Sequence, residues 1–139
     1  GYSFEIGKGV TLRDGSDVTI VATGMMVQMA LQAAEALAGE GISARVLDFH
    51  TIKPLDEELL TRAARETGAI VTTEEANILG GLGAAVCECL AETCPVPVVR
   101  HGVRDEFGRS GAAKKVLAAY GLTAEAIADA ARRAIAKKG

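Results

Sequence analysis

The spacing of apolar residues changes period several times along the chain. Val10 to Arg13 reads as a short strand, and Asp14-Gly15-Ser16 is a turn signal. Asp17 to Ala22 is a β-branched, apolar run of the kind found in a buried strand. Two strands joined by so tight a turn would be antiparallel if they paired with each other. From Val27 the period becomes helical: Val27, Ala30, Leu31, Ala34, Leu37 and Ala38 share one face, and Gly39 and Gly41 end it. Ala44 to Asp48 predicts the next strand. Asp56 is a candidate N-cap for a helix with Leu59, Leu60, Ala63 and Ala64 on its inner face, closed by Gly68. Ala69 to Thr73 is a further strand, and Gly80-Gly81-Leu82-Gly83 leads into a helix to about Cys94. Pro95 and Pro97 flank the start of a strand through Val98, Val99 and Arg100. Ala112 to Tyr120 is predicted helical, and Thr123 caps a last helix with Ile127, Ala130, Ala131, Ala134 and Ile135 on one side.

Strand–helix alternation of this kind gives a mainly parallel sheet covered on both faces, with right-handed crossovers. Long linkers and internal repeats are absent, so the 139 residues read as one domain. A chain of this length buries roughly 68–70% of its unfolded surface, enough for a core without staples. Aromatics make up only 4% of the chain and Trp is missing, so Val, Ile, Leu and Ala must build that core. The net charge of -3 offers no basic excess for neutralising phosphates, which argues against nucleic-acid binding. Arg132, Arg133, Lys137 and Lys138 are better read as complementing a helix dipole. No apolar run approaches the roughly 20 residues that cross a bilayer, and no signal peptide is visible. Cys87, Cys89 and Cys94 are an odd, crowded set that reads as reduced thiols in a cytoplasmic protein. The chain opens on Gly1, as expected of a piece cut from a longer polypeptide or of a processed subunit.

Ligands of open α/β sheets gather at the carboxyl ends of the strands. That places Thr23-Gly24-Met25, then Asp48 and His50, then Glu74 and Glu75, then His101, Arg104 and Asp105 along one edge. His50 and His101 are the only imidazoles and suit acid–base work, but loop histidines bonded to backbone look the same in a sequence. Adjacent residues of a strand point opposite ways, so Glu74 and Glu75 are not a paired acid and base. The preferred reading has one solvated and the other capping the following helix. The turn holding Gly80, Gly81 and Gly83 could present backbone N–H groups to an anion. It lacks the Lys and Ser/Thr of a phosphate-binding loop, and close helix–strand packing is the favoured account. The three cysteines do not have zinc spacing, so no metal site is expected. Ser110 reads as an N-cap rather than a nucleophile, because Gly108-Arg109-Ser110-Gly111 lacks the second spaced Gly of a nucleophile elbow.

Several stretches resemble the transketolase C-terminal domain. They are Asp48-Phe49-His50-Thr51-Ile52-Lys53-Pro54-Leu55-Asp56, Thr73-Glu74-Glu75, Ile78-Leu79-Gly80-Gly81-Leu82-Gly83, Asp105-Glu106-Phe107-Gly108-Arg109-Ser110-Gly111 and Tyr120-Gly121-Leu122-Thr123. Phe4-Glu5-Ile6-Gly7-Lys8-Gly9 is similar to the segment leading into that domain, so residues 1–9 are expected to be that lead. The likeness is greatest to transketolases split into two polypeptides, and reaches further to deoxyxylulose-phosphate synthase and the β subunits of 2-oxoacid dehydrogenases.

The resemblance implies a three-layer α/β/α domain whose five-stranded mixed sheet is mostly parallel. Its one antiparallel strand, at Val10, is expected beside the Ala44 strand. It also implies part of a transferase that moves two-carbon ketol units between sugar phosphates, as in the pentose phosphate pathway, in a homodimer or heterotetramer. Thiamine diphosphate and Mg²⁺ lie between other domains of such enzymes, on a Gly-Asp-Gly motif that this sequence lacks. The chain alone is therefore expected to bind no cofactor and to be inactive. Its expected part is assembly with other transketolase domains or an N-terminal subunit. His50, Glu74, Glu75, His101, Arg104 and Asp105 are candidate interface or ligand contacts. Where many relatives carry His after the paired glutamates, this chain has Ala76. Two other readings stand beside this one: a 2-oxoacid dehydrogenase β-type domain, and a stand-alone phosphate- or nucleotide-binding regulatory module.

Overall fold

The computed structural model describes residues 7–52, 54–77, 81–103 and 123–138. Five strands and four helices are formed among them: β1 (Gly9–Arg13), β2 (Val18–Ala22), α1 (Met26–Ala38), β3 (Ala44–Phe49), α2 (Glu57–Thr67), β4 (Ile70–Asn77), α3 (Leu82–Thr93), β5 (Val98–Val103) and α4 (Ala124–Ala136). The helix predicted over Ala112 to Tyr120 lies outside the described residues.

The strands lie in the order β1-β3-β2-β4-β5. β1 runs antiparallel to β3, while β2, β3, β4 and β5 pair in parallel. β1 is therefore not the partner of β2 despite the short turn between them. The turn carries the chain across the amino end of β3 instead. Asp17 N–H donates to Ser43 O at 2.8 Å, Ser43 N–H returns to Asp17 Oδ2 at 2.7 Å, and Arg45 Nε donates to Gly15 O at 3.0 Å. Gly15 lies so close to the Ala44 backbone that a Cβ would overlap it. An antiparallel strand at an edge needs no crossover helix, which is how the four residues Asp14–Asp17 span two sheet positions.

Both faces of the sheet are covered. Val18, Ile20, Ala22, Val46 and Val71 pack under α1 and α4, where Ala30, Ala34, Ala130 and Ala134 let the two helices approach closely. Val21, Leu47, Phe49 and Ile70 face α2 and α3 through Leu60, Leu82, Val86 and Leu90. β2 is buried along its whole length, which explains its uninterrupted apolar sequence.

The helix boundaries follow local chemistry. Asp56 Oδ1 accepts the Leu59 N–H at 3.2 Å and starts α2. Gly68, at φ +74°, ends α2 in the left-handed conformation and donates its N–H to Ala64 O at 2.8 Å. Thr123 Oγ1 accepts the Ala126 N–H at 3.1 Å and starts α4.

Candidate functional site

At the carboxyl edge, the chain leaves β2 toward β3 on one side and leaves β4 toward β5 on the other. The loops diverge between β2 and β4, the place where sheets of this kind open a crevice. Thr23 N–H still reaches Thr73 O at 3.4 Å across it. Gly24, at φ +57°, turns the backbone there and leaves Met25 48% exposed.

Glu74 stands beside this crevice on the α3 side, at 1% exposure. Its Oε1 accepts the Leu82 N–H at 2.8 Å and its Oε2 accepts the Gly83 N–H at 2.8 Å. The carboxylate thus caps the amino end of α3, where free N–H groups and the helix dipole favour negative charge. A Cβ on Gly81 would overlap Glu74 Oε1. A Cβ on Gly83 would come within 2.8 Å of Arg100 Cδ and 3.1 Å of Thr72 Oγ1. Gly81 and Gly83 are thus required by close approach. The anion held by this turn is the chain's own, and an outside phosphate would have to compete with it. Gly80 and the side chain of Glu75 lie outside the described residues.

The two histidines are not brought together. His101, half-buried within β5, has Nδ1 3.0 Å from Thr73 Oγ1. His50 follows β3, with Nε2 3.9 Å from Asp48 Oδ2. β2 and β4 separate these strands, so three sheet spacings, roughly 14 Å, stand between them. The Asp48 side chain is 16% exposed, and burial pushes its carboxyl above the ordinary carboxylate range. Arg104 and Asp105 lie outside the described residues. Among the described residues, no group of three or more His, Cys, Asp or Glu is arranged to hold a metal ion.

The stretch from Asp48 to Asp56 docks the segment that leads into the domain. Thr51 Oγ1 accepts the Gly7 N–H at 3.1 Å and donates to Pro54 O at 3.1 Å. Asp56 Oδ2 accepts the Gly9 N–H at 2.9 Å while its other oxygen caps α2. Beside this anchor runs a shallow groove of about 370 Å³ between α2 and α3, lined by Ile52, Leu55 and Ala85 together with Glu57, Glu88, Cys89 and Glu92. Sequence reading missed it, because its two walls are distant in the chain and only the sheet brings them together. Within it, Cys89 Sγ lies 3.7 Å from Glu57 Oε1. Burial, with Glu57 adding to it, pushes the thiol pKa up against the opposing bond from Thr93.

A family model described as "Transketolase, C-terminal domain" matches residues 7–127. The chain belongs to the transketolase C-terminal domain family. The 6-deoxy-6-sulfo-D-fructose transketolase subunit of Clostridium sp. is 54% identical over 97% of this chain and 42% of its own length. A 1-deoxy-D-xylulose-5-phosphate synthase of Syntrophotalea carbinolica is 49% identical over 94% of this chain and 21% of its own. Among solved structures, a split-gene transketolase described as an inactive beta4 tetramer superposes with a TM-score of 0.95 at 50% identity. That match covers 99% of this chain and 45% of the other. The transketolase of Leishmania mexicana, at 23% identity and a TM-score of 0.69, shares the fold over 95% of this chain and 18% of its own. This transketolase C-terminal domain thus spans less than half the length of each of these relatives.

Proposed function

We propose that this chain works as the C-terminal domain, residues 1–139 with 1–9 leading in, of a cytoplasmic transketolase built from more than one polypeptide. Its part is to assemble that enzyme as a homodimer or heterotetramer. The observation that carries this reading is the match to a split-gene transketolase across 99% of the chain at 50% identity. In the complete enzyme, the reaction moves a two-carbon ketol unit from a ketose phosphate to an aldose phosphate. Thiamine diphosphate supplies the ketol-transfer chemistry, with Mg²⁺ anchoring its diphosphate. The described residues do not fit that cofactor. The carboxylate at the α3 amino end is already committed to two backbone N–H groups, and the sequence has no Gly-Asp-Gly. The cofactor therefore belongs to other domains. His50, Glu75, His101, Arg104 and Asp105 are the chain's candidate interface or ligand contacts, while Glu74 is taken up in capping α3.

The experiment has two arms. Calorimetric titration of the isolated chain with thiamine diphosphate and Mg²⁺ is expected to give no heat of binding. The complete enzyme that contains this domain is expected to transfer ketol units between sugar phosphates. Tight cofactor binding by the isolated chain would sink the assembly reading.

A second reading is favoured by the 49% identity to a deoxyxylulose-phosphate synthase. Formation of 1-deoxy-D-xylulose 5-phosphate by the complete enzyme, without ketol transfer between sugars, would select it. The Clostridium relative is named for a sulfo-sugar, so sulfonated ketoses belong in the same assay.

A further inference from the structure

The chain enters this domain at the carboxyl edge of the sheet. Gly9 opens β1 opposite Phe49, the last residue of β3, because the two strands are antiparallel. Gly7-Lys8-Gly9 has the composition of a flexible linker, yet both glycines are held. Gly7 N–H donates to Thr51 Oγ1, which donates in turn to Pro54 O, and Gly9 N–H donates to Asp56 Oδ2. A Cβ on Gly7, which sits at φ +80°, would come within 3.0 Å of Pro54 Cγ, and a Cβ on Gly9 would overlap the Phe49 ring. Thr51 and Asp56 belong to the one loop between β3 and α2, and capping α2 fixes Asp56 further. The family match begins at Gly7, and more than half of the Clostridium subunit and of the split-gene transketolase lies outside the match.

Few contacts cross an ordinary domain boundary, and relative motion of the two sides is the default. Here two N–H groups within three residues are clamped, so the entering chain has one direction. We propose that Thr51 and Asp56 are positioning residues that turn the carboxyl edge of the sheet toward the polypeptide preceding residue 7 in the complete enzyme, and that this polypeptide docks on the β3 and β2 part of that edge. β2, which leads into Met25, lies two sheet spacings, roughly 10 Å, from β1. Met25 is 48% exposed, and it and Leu12 are the only large apolar side chains so exposed among the described residues. Met25 thus supplies an apolar contact on the edge where the chain arrives, with Asp48 and His50 beside it on the β3 side. The occupant is the neighbouring domain, because the clamp delivers the end of that domain to this edge. The inference deepens the assembly reading given above and rests on it for the existence of that domain.

The test treats the complete enzyme with iodoacetamide and follows each modified peptide by mass spectrometry. Met25→Cys should react about tenfold more slowly than Leu12→Cys, which is similarly exposed but lies mid-strand in β1, away from the carboxyl edge. Thr51→Val should speed amide exchange at Gly7 by about fivefold, as loss of one neutral hydrogen bond does, and should make Met25→Cys more reactive. Thr51→Ser keeps the hydroxyl and should do neither. Asp56→Asn still caps α2 but has one acceptor oxygen in place of two, so it should loosen Gly9 and unmask Met25→Cys in the same way. A Met25→Cys as reactive as Leu12→Cys would overturn the docking edge. Protection that persists in both Thr51→Val and Asp56→Asn would overturn the positioning role. Protection lost on dilution would assign the edge to a second copy and overturn the proposal as well. None of these measurements uses turnover, so a failure of the ketol-transfer reading shows separately, in the activity of the unmodified enzyme.

Discussion

Glu74 illustrates how much one side chain settles. Beside Glu75 in the sequence, it reads as one of two neighbours, one solvated and the other capping the following helix. In the structure it is buried and takes two backbone N–H groups at the start of α3. The sequence narrowed this to one of two neighbours, and only the facing of β4 toward α3 chose between them. Glu74→Gln keeps the shape but removes the charge, and one amide oxygen cannot replace two carboxylate oxygens. The loss expected in urea denaturation is about 1–3 kcal/mol, the cost of leaving a buried hydrogen-bonding group unsatisfied. Asp48 gives a prediction of opposite sign. Burial raises its folded-state pKa, so the folded chain holds this proton to a higher pH than the unfolded chain does. Its contribution to stability is therefore lost as pH rises from the ordinary Asp value, about 3.9, through the raised folded value. Asp48→Asn should abolish that part of the slope, read as a flatter stability–pH profile than that of the wild type.

At the scale of elements, the sequence was most legible where a helix end has its own chemistry. Asp56, Gly68 and Thr123 were identified as a cap, a stop and a cap from residue type and spacing, and each makes the bond that its role requires. What spacing did not reveal is that Asp56 has two clients. It starts α2 and also holds Gly9 at the head of β1, 47 positions away. Asp56→Ala is expected to cost about 1–2 kcal/mol, typical of a lost N-cap. It should also speed amide exchange at Gly9 by more than the global loss explains. Exchange at Gly9 that only tracks global stability would show that the tether contributes nothing. β1 itself was placed beside β3 by resemblance, not by pattern. A short turn after an antiparallel-capable strand predicts a hairpin equally well, and the decision rests on Gly15 packing against the Ala44 backbone.

For the whole molecule, two apolar layers share the strands β2, β3 and β4, so neither can melt alone. Leu60→Ala in the α2–α3 layer should cost about 2–5 kcal/mol. It should still leave a single unfolding transition when helix content and a probe in the α1–α4 layer are followed together. Two separated transitions would refute the shared core. The sequence by itself determined the class of fold and the sheet edge where ionisable residues collect. Period and turn chemistry are local, and parallel strands put every strand-to-helix loop at the same edge. Only the tertiary structure decided which of those residues meet. It set His50 and His101 on strands with two others between them, and it gave the α3 amino end its own carboxylate. It also joined Glu57 to Glu88 and Glu92 across two helices. Such contacts depend on strand order and side-chain facing, which are set by packing the whole chain at once.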